Sequence, residues 1–252
     1  MIYYIIIINI LIGVLTMANG YKKDEIINKL ENLKDISTLY KEDFINYRGD
    51  TTDTKEKYTE VIAEWLIKNF NLFDNIKKIT RQSSYKVDTH DGKHNNQNSN
   101  RLEEIMAIEI FNQKSLNILG EVIDYQTPLK DKLGDEAGKI DIVSYDKDNK
   151  IVYLLELKRE DSKETMLRCV LEIFTYSKTL DKDKFLEDFN LPKDTKIKAS
   201  PLVFFNGSQY KEMADSDNKY LKDLIKKLEI ELFYISKNNN SEYNITKGEN
   251  NL

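Results

Sequence analysis

The sequence predicts an α/β fold in which helices flank a mixed central sheet, and three observations support this class. The first is the order of elements between Arg101 and Ser236, which reads helix, three strands, helix, strand, helix, strand. The second is a pair of short apolar runs joined by a polar turn, a pattern typical of a β-hairpin. The third is a stretch of helical periodicity that precedes Arg101.

Composition and periodicity divide the chain into four parts. We expect an apolar segment over 1–16, a helical segment and polar loop over 17–100, an α/β domain over 101–236 and a disordered tail over 237–252. The tail is rich in Asn and Lys, which disfavours a packed core. The polar loop contains both histidines of the chain, and its Asp-Gly and Asn-rich composition favours a solvated loop over a zinc site.

The N-terminal apolar run, Ile2 to Leu15, comprises 14 residues. A helix that crosses a bilayer needs about 20, and no Lys or Arg precedes the run as a secretory signal requires. We favour a translation start at Met17, then a protein exported or anchored through residues 2–15, then a structural helix. With one cysteine, Cys169, the chain cannot form an internal disulfide. These features predict a cytoplasmic protein without stable membrane association.

The net charge of −5 argues against a protein that coats nucleic acid with a strongly basic surface. A site that acts on nucleic acid would need local basic residues or a metal ion beside the phosphate. Lys77, Lys78, Arg81 and Lys86 form the nearest local basic patch, and we interpret it as solvated surface.

The most informative stretch runs from Lys139 to Lys158, two apolar strands around a polar turn at 146–149. Side chains alternate between the two faces of a strand, so Glu156 and Lys158 share one face, and Asp141 adds an acid from the neighbouring strand. Charges are seldom buried without partners. The cluster is therefore either a salt-bridged hairpin or a site where two carboxylates hold a hard cation such as Mg²⁺.

The stretch contains Asp141, then fourteen residues, and then Glu156-Leu157-Lys158. This pattern resembles the signature of the PD-(D/E)XK nuclease superfamily, although Ile140 replaces the proline of that signature. The resemblance implies a restriction-endonuclease-like core of order αβββαβ after the N-terminal helical segment. It also implies a Mg²⁺ ion, for which Mn²⁺ can substitute, held by Asp141, Glu156 and the carbonyl oxygen of Leu157. Lys158 would lie beside the attacking water and position or deprotonate it.

A helix over 101–113 is expected to open the α/β domain. Asn100 is the expected N-cap, and Glu103 would then close a capping box. Glu104 lies on the face expected to meet the sheet. Nucleases similar to this chain often take a further acidic ligand from this helix, so the resemblance assigns Glu104 to the metal and the catalytic set, with Glu103 as the alternative.

Asp161 or Ser162 is expected to cap a second helix, which runs to about Leu180. Exonuclease-like members of the family carry a Gln and a Tyr four residues apart on this helix, near the substrate. Here Glu172 stands at the Gln position and Tyr176 matches. Arg168 and Tyr176 are therefore candidate substrate contacts, against the alternative of an exposed helix face with an Arg–Glu pair.

The remaining elements follow from short apolar runs between turn signals. We expect a first strand over 116–125, a fourth over 198–205, a helix over 220–228 and a last strand over 230–236.

The leading hypothesis is a Mg²⁺-dependent nuclease that hydrolyses phosphodiester bonds, with DNA as the nucleic acid that the resemblance implies. The alternative is a non-catalytic module that keeps the fold and binds nucleic acid or a protein. The acidic charge and the absent Gln favour the module, whereas the complete set of Asp141, Glu156 and Lys158 favours the enzyme. The helical segment before Arg101 could bind substrate, a protein partner or a second copy of the chain, or it could only cover the sheet.

Overall fold

The computed structural model describes residues 20–93, 101–130 and 138–248 of the chain. The apolar segment 1–16 and His94 lie outside these ranges. Within them, one mixed sheet of seven strands has helices packed on both faces. The predicted α/β class with a helix-flanked mixed sheet is therefore confirmed. No helix in these ranges is long and apolar enough to cross a membrane.

The seven strands lie side by side in the order of the sequence. They are β1 (Ser115–Leu116), β2 (Gly120–Pro128), β3 (Lys139–Asp146), β4 (Ile151–Leu157), β5 (Lys196–Phe204), β6 (Phe233–Lys237) and β7 (Tyr243–Lys247). β5 is parallel to both β4 and β6, and the other neighbouring pairs are antiparallel. Helical crossovers supply the two parallel connections.

The described ranges contain seven α-helices and three short 3₁₀ helices. The α-helices are α1 (Lys23–Glu31), α2 (Tyr58–Lys68), α3 (Leu102–Gln113), α4 (Met166–Thr179), α5 (Lys182–Asp188), α6 (Ser208–Ala214) and α7 (Lys219–Lys227). The 3₁₀ helices are Ile36–Lys41, Asp43–Asn46 and Phe70–Asn75. The N-terminal region, defined as residues 20–93, is therefore helical in part, as its periodicity predicts.

The side chains of β4 alternate between two hydrophobic cores. Val152 and Leu154 pack into the larger core, which contains α4 and the N-terminal region. Leu155 and Leu157 pack into the smaller core, which contains α3. Glu156 follows Leu154 on the larger-core side, so period-2 alternation directs its carboxylate toward α4.

The central hairpin pairs β3 with β4, and Ile142 lies opposite Leu155. Asp141 and Glu156 occupy the next opposing positions toward the open end of the hairpin. Lys150 has a φ of +51° and belongs to the connecting turn, which therefore extends one residue beyond the predicted turn at 146–149. The hairpin itself is confirmed.

The start of α4 differs from the prediction. Thr165 is its N-cap, and the Thr165 Oγ1 accepts a hydrogen bond from the N–H of Arg168 at 3.2 Å. The prediction that Asp161 or Ser162 caps this helix is therefore wrong. The segment between β4 and α4 is bound instead by other parts of the chain. The guanidinium of Arg48 donates to two of its backbone carbonyls, and the Gln209 side chain donates to one of them.

The predicted disordered tail over 237–252 is wrong for the residues that form β7. This strand pairs with β6, and Ile245 lies opposite Ile235. Tyr243 and Ile245 are buried in the smaller core. Two apolar positions in a polar stretch are too few to predict a strand without its pairing partner. Residues 249–252 lie outside the described ranges.

Glu60 of α2 anchors the N-terminal region to α7. It is 8% exposed, and its carboxylate accepts hydrogen bonds from the backbone N–H groups of Tyr220 and Leu221, both at 2.8 Å. The local N-cap of α7, Asn218, makes no side-chain capping bond. Glu60 therefore supplies from another helix the negative charge and the acceptors that a helix N-terminus needs.

We expect Glu60→Ala to lower the free energy of unfolding by about 2–3 kcal/mol, since it removes the acceptor of the buried Leu221 N–H and of the partly buried Tyr220 N–H. Glu64→Ala is the matched control, because Glu64 lies one turn later and pairs with the lysines Lys23 and Lys68 near the surface. Its loss should be at most about 1 kcal/mol. Urea denaturation measures both, and equal losses would contradict the capping role of Glu60.

Candidate active site

Asp141, Glu156 and Lys158 of the central hairpin lie together in a cleft of about 660 Å³ at one end of the sheet. Asp141 comes from β3, Glu156 from the end of β4, and Lys158 directly follows β4. Glu156 and Lys158 are each 4% exposed. The structure thus brings together the three residues that the motif singles out.

The carboxylate of Asp141 joins three neighbouring strands. Its Oδ2 accepts a hydrogen bond from the N–H of Leu157 at 2.9 Å, and its Oδ1 accepts one from the Gln126 side chain at 2.7 Å. Burial raises the pKa of Asp141 to about 7, with Lys158 and the N–H of Leu157 opposing the shift and Glu103 adding to it. Asp141 therefore changes its charge near neutral pH.

Lys158 is surrounded by three carboxylates, which together with that of Asp141 we call the carboxylate cluster. Its Nζ lies 2.7 Å from Glu156 Oε1, 2.9 Å from Glu164 Oε2 and 3.8 Å from Glu172 Oε2. Burial opposes the positive charge, but the carboxylates outweigh it and raise the pKa of Lys158 well above its usual value. Lys158 is therefore an ammonium group here. That state suits hydrogen-bond donation to a water or phosphate oxygen and does not suit proton abstraction.

The cleft holds more acids than bases. Burial raises the pKa of Glu156 well above its usual value, and the charges of Asp141 and Glu172 add to the shift while Lys158 opposes it. The bases that line the cleft in the described ranges are Arg101, Lys139, Lys158 and Arg159. The acids that line it are Glu103, Glu104, Asp141, Glu156, Asp161, Glu164 and Glu172.

Of the two neighbouring acids on helix α3, Glu103 lies closer to the carboxylate cluster than Glu104 does. The Glu103 carboxylate accepts a hydrogen bond from the backbone N–H of Arg159, and burial raises its pKa. The Glu104 side chain is 36% exposed, and its Oε2 lies 3.5 Å from Arg101 Nη1. Arg101 also occupies the N-cap position, so the predicted capping box with Glu103 at its third residue is wrong. Placement thus favours Glu103, the alternative of the sequence interpretation, for a role beside Asp141.

Arg168 and Tyr176 contact carboxylates of the cluster rather than the open cleft. Arg168 Nε lies 3.2 Å from Glu164 Oε1. Tyr176 is 5% exposed, and its hydroxyl donates to Glu172 Oε1 at 2.8 Å. Both residues therefore position the acids that hold Lys158, and this placement does not favour the predicted direct contact with substrate.

Sequence reasoning misses two parts of the site. Gln126, which donates to Asp141, lies on β2 and belongs to no motif. Glu164, which contacts Lys158, lies in the segment before α4 that Arg48 holds in place across more than a hundred residues of sequence. The only local signal is the i, i+4 spacing of Glu164 and Arg168, and this spacing is common on surface helices.

His90 fastens the loop before α3 to the sheet. Its Nδ1 lies 2.6 Å from Asp124 Oδ1, and its ring stacks on Tyr125 at 4.5 Å between centroids. Asp124 is buried and also accepts a hydrogen bond from Thr127 Oγ1 at 2.6 Å. His90 and Gly92 therefore pack against the sheet, whereas Asp88, Thr89, Asp91 and Lys93 are exposed, as the prediction of a solvated loop requires.

The donor set fits a hard divalent cation in its chemistry. Within the described ranges, no three acidic, histidine or cysteine side chains already converge as a metal-holding group. The cleft nevertheless offers oxygen donors, which Mg²⁺ prefers. Burial raises the pKa values of Glu103, Asp141 and Glu156, so a cation that binds these three carboxyl groups would displace protons from them. Asp141, Glu156, Glu103 and the carbonyl of Leu157 are the groups that would hold the ion.

Comparison of the chain with protein-family models, with curated proteins and with solved structures gives no match. A functional assignment therefore depends on the geometry of this cleft and on the residues that resemble a known motif. Asp141, Glu156 and Lys158 satisfy both criteria.

Proposed function

We propose that this chain is a metal-dependent nuclease that hydrolyses phosphodiester bonds, with DNA as the expected substrate. The observation that supports this proposal most is the placement of Asp141, Glu156 and Lys158 in one cleft at the end of the central hairpin. The order α3, β2, β3, β4, α4, β5 also agrees with the αβββαβ core that the PD-(D/E)XK resemblance implies. A restriction-endonuclease-like core is part of the same proposal.

The carboxylates would hold the metal, and Lys158 would act on the reacting oxygens. A bound Mg²⁺ polarises a phosphoryl oxygen and lowers the pKa of a bound water. The Lys158 ammonium donates hydrogen bonds to the attacking water or to a non-bridging phosphate oxygen, where negative charge grows. Asp141 reaches its charged, ligating form as the pH rises through about 7. Glu164 and Glu172 position Lys158 for this role.

Cleavage of three substrates tests the proposal. Circular single-stranded DNA, plasmid DNA and RNA are incubated with Mg²⁺ or Mn²⁺ and the wild-type protein, Asp141→Ala or Lys158→Ala. We expect metal-dependent cutting of DNA that both substitutions abolish. Cutting that survives both substitutions would exclude this cleft as the active site. If the folded wild type cuts none of the three substrates, the non-catalytic binding module becomes the better hypothesis.

The neighbouring acids of α3 provide a matched pair of variants. We expect Glu103→Gln to weaken Mn²⁺ binding by about tenfold or more, because Glu103 lies beside Asp141. Glu104→Gln makes the same chemical change one residue away and should alter binding less than about twofold. Calorimetric titration of both variants measures the difference. A larger effect of Glu104→Gln would restore the assignment made from the sequence.

A further inference from the structure

A second cleft, of about 700 Å³, carries an excess of positive charge. Three exposed lysines line it, Lys34, Lys41 and Lys77, and all three belong to the N-terminal region. The chain as a whole has a net charge of −5. A lysine-rimmed cleft on an acidic protein is a local feature that suits a polyanion.

The lining of this cleft holds one acid and two polar side chains that suit phosphate. Among its described lining residues Asp35 is the one acid, and its Oδ1 accepts a hydrogen bond from the N–H of Ser37 at 2.8 Å as the cap of the 3₁₀ helix that follows. Ser37 and Asn75 add a hydroxyl and an amide side chain of the kind that binds phosphate oxygens in nucleic-acid complexes. Three further hydroxyls line the cleft but donate to backbone carbonyls of the chain itself, those of Thr38, Thr175 and Thr179.

The lysine-rimmed cleft adjoins the carboxylate cluster. Tyr176 lines it, and the hydroxyl of Tyr176 donates to Glu172, which lines the cleft of the candidate active site. Tyr40 packs edge-on against Tyr176, with ring centroids 5.6 Å apart, and also lines the lysine-rimmed cleft. Tyr176 therefore lies between the two clefts, with Tyr40 packed against it.

We propose that the lysine-rimmed cleft binds backbone phosphates of a nucleic-acid strand. These phosphates would lie on one side of the phosphate that is placed at the carboxylate cluster. The charge and lining of the cleft support a phosphate-backbone site on the N-terminal region. Its relation to the phosphate at the carboxylate cluster rests on the proposed nuclease function. Because the carboxylate cluster repels a polyanion, an adjoining row of cations provides the attraction that the active site lacks.

Binding without metal tests this site apart from catalysis. Fluorescence anisotropy measures the Kd of labelled single-stranded DNA, double-stranded DNA and RNA in EDTA, at several salt concentrations. The rim variant carries Lys34→Gln, Lys41→Gln and Lys77→Gln. The control variant carries Lys147→Gln, Lys193→Gln and Lys196→Gln, which change the net charge equally.

The control lysines lie at the other end of the sheet. Lys147 is in the turn between β3 and β4, and Lys196 pairs with Ile151 at the start of β4, whereas Asp141 lies at the opposite end of the hairpin. All three control lysines are exposed, as the rim lysines are. Thermal unfolding shows whether each variant is folded.

We expect the rim variant to bind at least about tenfold more weakly than the wild type at moderate salt. On single strands, each lost phosphate contact should lower the slope of log Kd against log salt by about 0.7. The three substitutions together should therefore lower this slope by about 2. The control variant should keep the wild-type slope. Equal losses in the two variants, an unchanged rim variant, or no binding by the wild type would each overturn the proposal.

Cleavage separates this inference from the proposed function. Lysine-dependent binding by a protein that cuts nothing with Mg²⁺ or Mn²⁺ would support the phosphate site and reject the nuclease. A wild type that cuts, beside a rim variant that binds and cuts equally well, would support the nuclease and reject the phosphate site.

Discussion

Lys158→Met is expected to abolish metal-dependent cleavage and to lower the free energy of unfolding by about 3–5 kcal/mol at pH 8. The substitution keeps most of the side-chain volume but removes the ammonium group that lies between Glu156, Glu164 and Glu172. Buried carboxylates that lose their cation are strongly unfavourable. Cleavage should fall by at least about a hundredfold, because the charge that develops on the phosphate loses its donor.

The loss of stability in Lys158→Met should depend on pH. Lys158 opposes the raised pKa of Glu156, so its removal raises that pKa further. A group whose folded-state pKa is raised contributes stability at low pH and loses it as the pH rises. The deficit of the variant should therefore be smaller at pH 5 than at pH 8. Urea denaturation at the two pH values measures it.

Lys139→Met is the control for this prediction. Lys139 lines the same cleft but is exposed. Its replacement should change the free energy of unfolding by less than about 1 kcal/mol. If both variants lose similar stability at pH 8, the buried charge of Lys158 is not what holds the carboxylates together.

Asp141→Asn is expected to raise the free energy of unfolding at pH 8 in the absence of metal. The pKa of Asp141 is about 7 in the folded protein, well above its value of about 3.9 in an unfolded chain. Its contribution to stability is therefore complete below about pH 4 and is lost as the pH rises to about 7. The loss is on the order of 4 kcal/mol, and a neutral Asn does not incur it.

The contacts of Asp141 allow this substitution. An Asn oxygen can accept the N–H of Leu157, and the Gln126 amide can turn so that its oxygen accepts from the Asn amide. Glu156 and Glu103 also have raised pKa values, so part of the decline between pH 4 and pH 8 should remain in the variant. Urea denaturation in EDTA across this interval follows the change.

Asp146→Asn makes the same chemical change on the same strand. Hydrogen bonds from Asn149 lower the pKa of Asp146, so this residue stabilises the fold above about pH 4 and loses that contribution as the pH falls. The control should therefore keep the full decline of the wild type between pH 4 and pH 8. An equal decline in Asp141→Asn would show that Asp141 does not titrate near neutral pH.

Sequence reasoning succeeds for the central hairpin because the information there is local. Alternation with period 2 fixes which side chains of β4 share a face, and Leu155 and Leu157 lie in the core opposite Glu156 as that period requires. The motif spacing then places Asp141 beside Glu156 through antiparallel register. Both inferences need only the residues between 139 and 158.

The acid of α3 could not be chosen in the same way. This helix is apolar on most sides, with Met106, Ala107 and Ile110 buried, so its sequence does not define which rotation meets the sheet. Glu103 and Glu104 then remain equivalent until the packing of the helix is known. The structure resolves this choice because Glu103 meets the backbone of Arg159.

The remaining differences arise from contacts between distant parts of the chain. Arg48 donates hydrogen bonds to the segment before α4, which sequence reasoning assigns to that helix. β7 exists because β6 offers an edge to pair with. The lysines of the second cleft are separated by up to 43 residues, Lys34 to Lys77, and each resembles ordinary surface in the sequence. Only the folded chain places them in one cleft.

Calorimetric titration of Mn²⁺ into the metal-free protein at pH 7 tests the central claim most directly, when it is repeated in buffers with different heats of ionisation. We expect the wild type to bind Mn²⁺ and release protons, because burial raises the pKa of Asp141 to about 7 and the protonated fraction must lose its proton to ligate a cation. Asp141→Asn should bind at least about tenfold more weakly and release fewer protons. Equal, weak binding by both proteins without proton release would contradict a metal centre in this cleft.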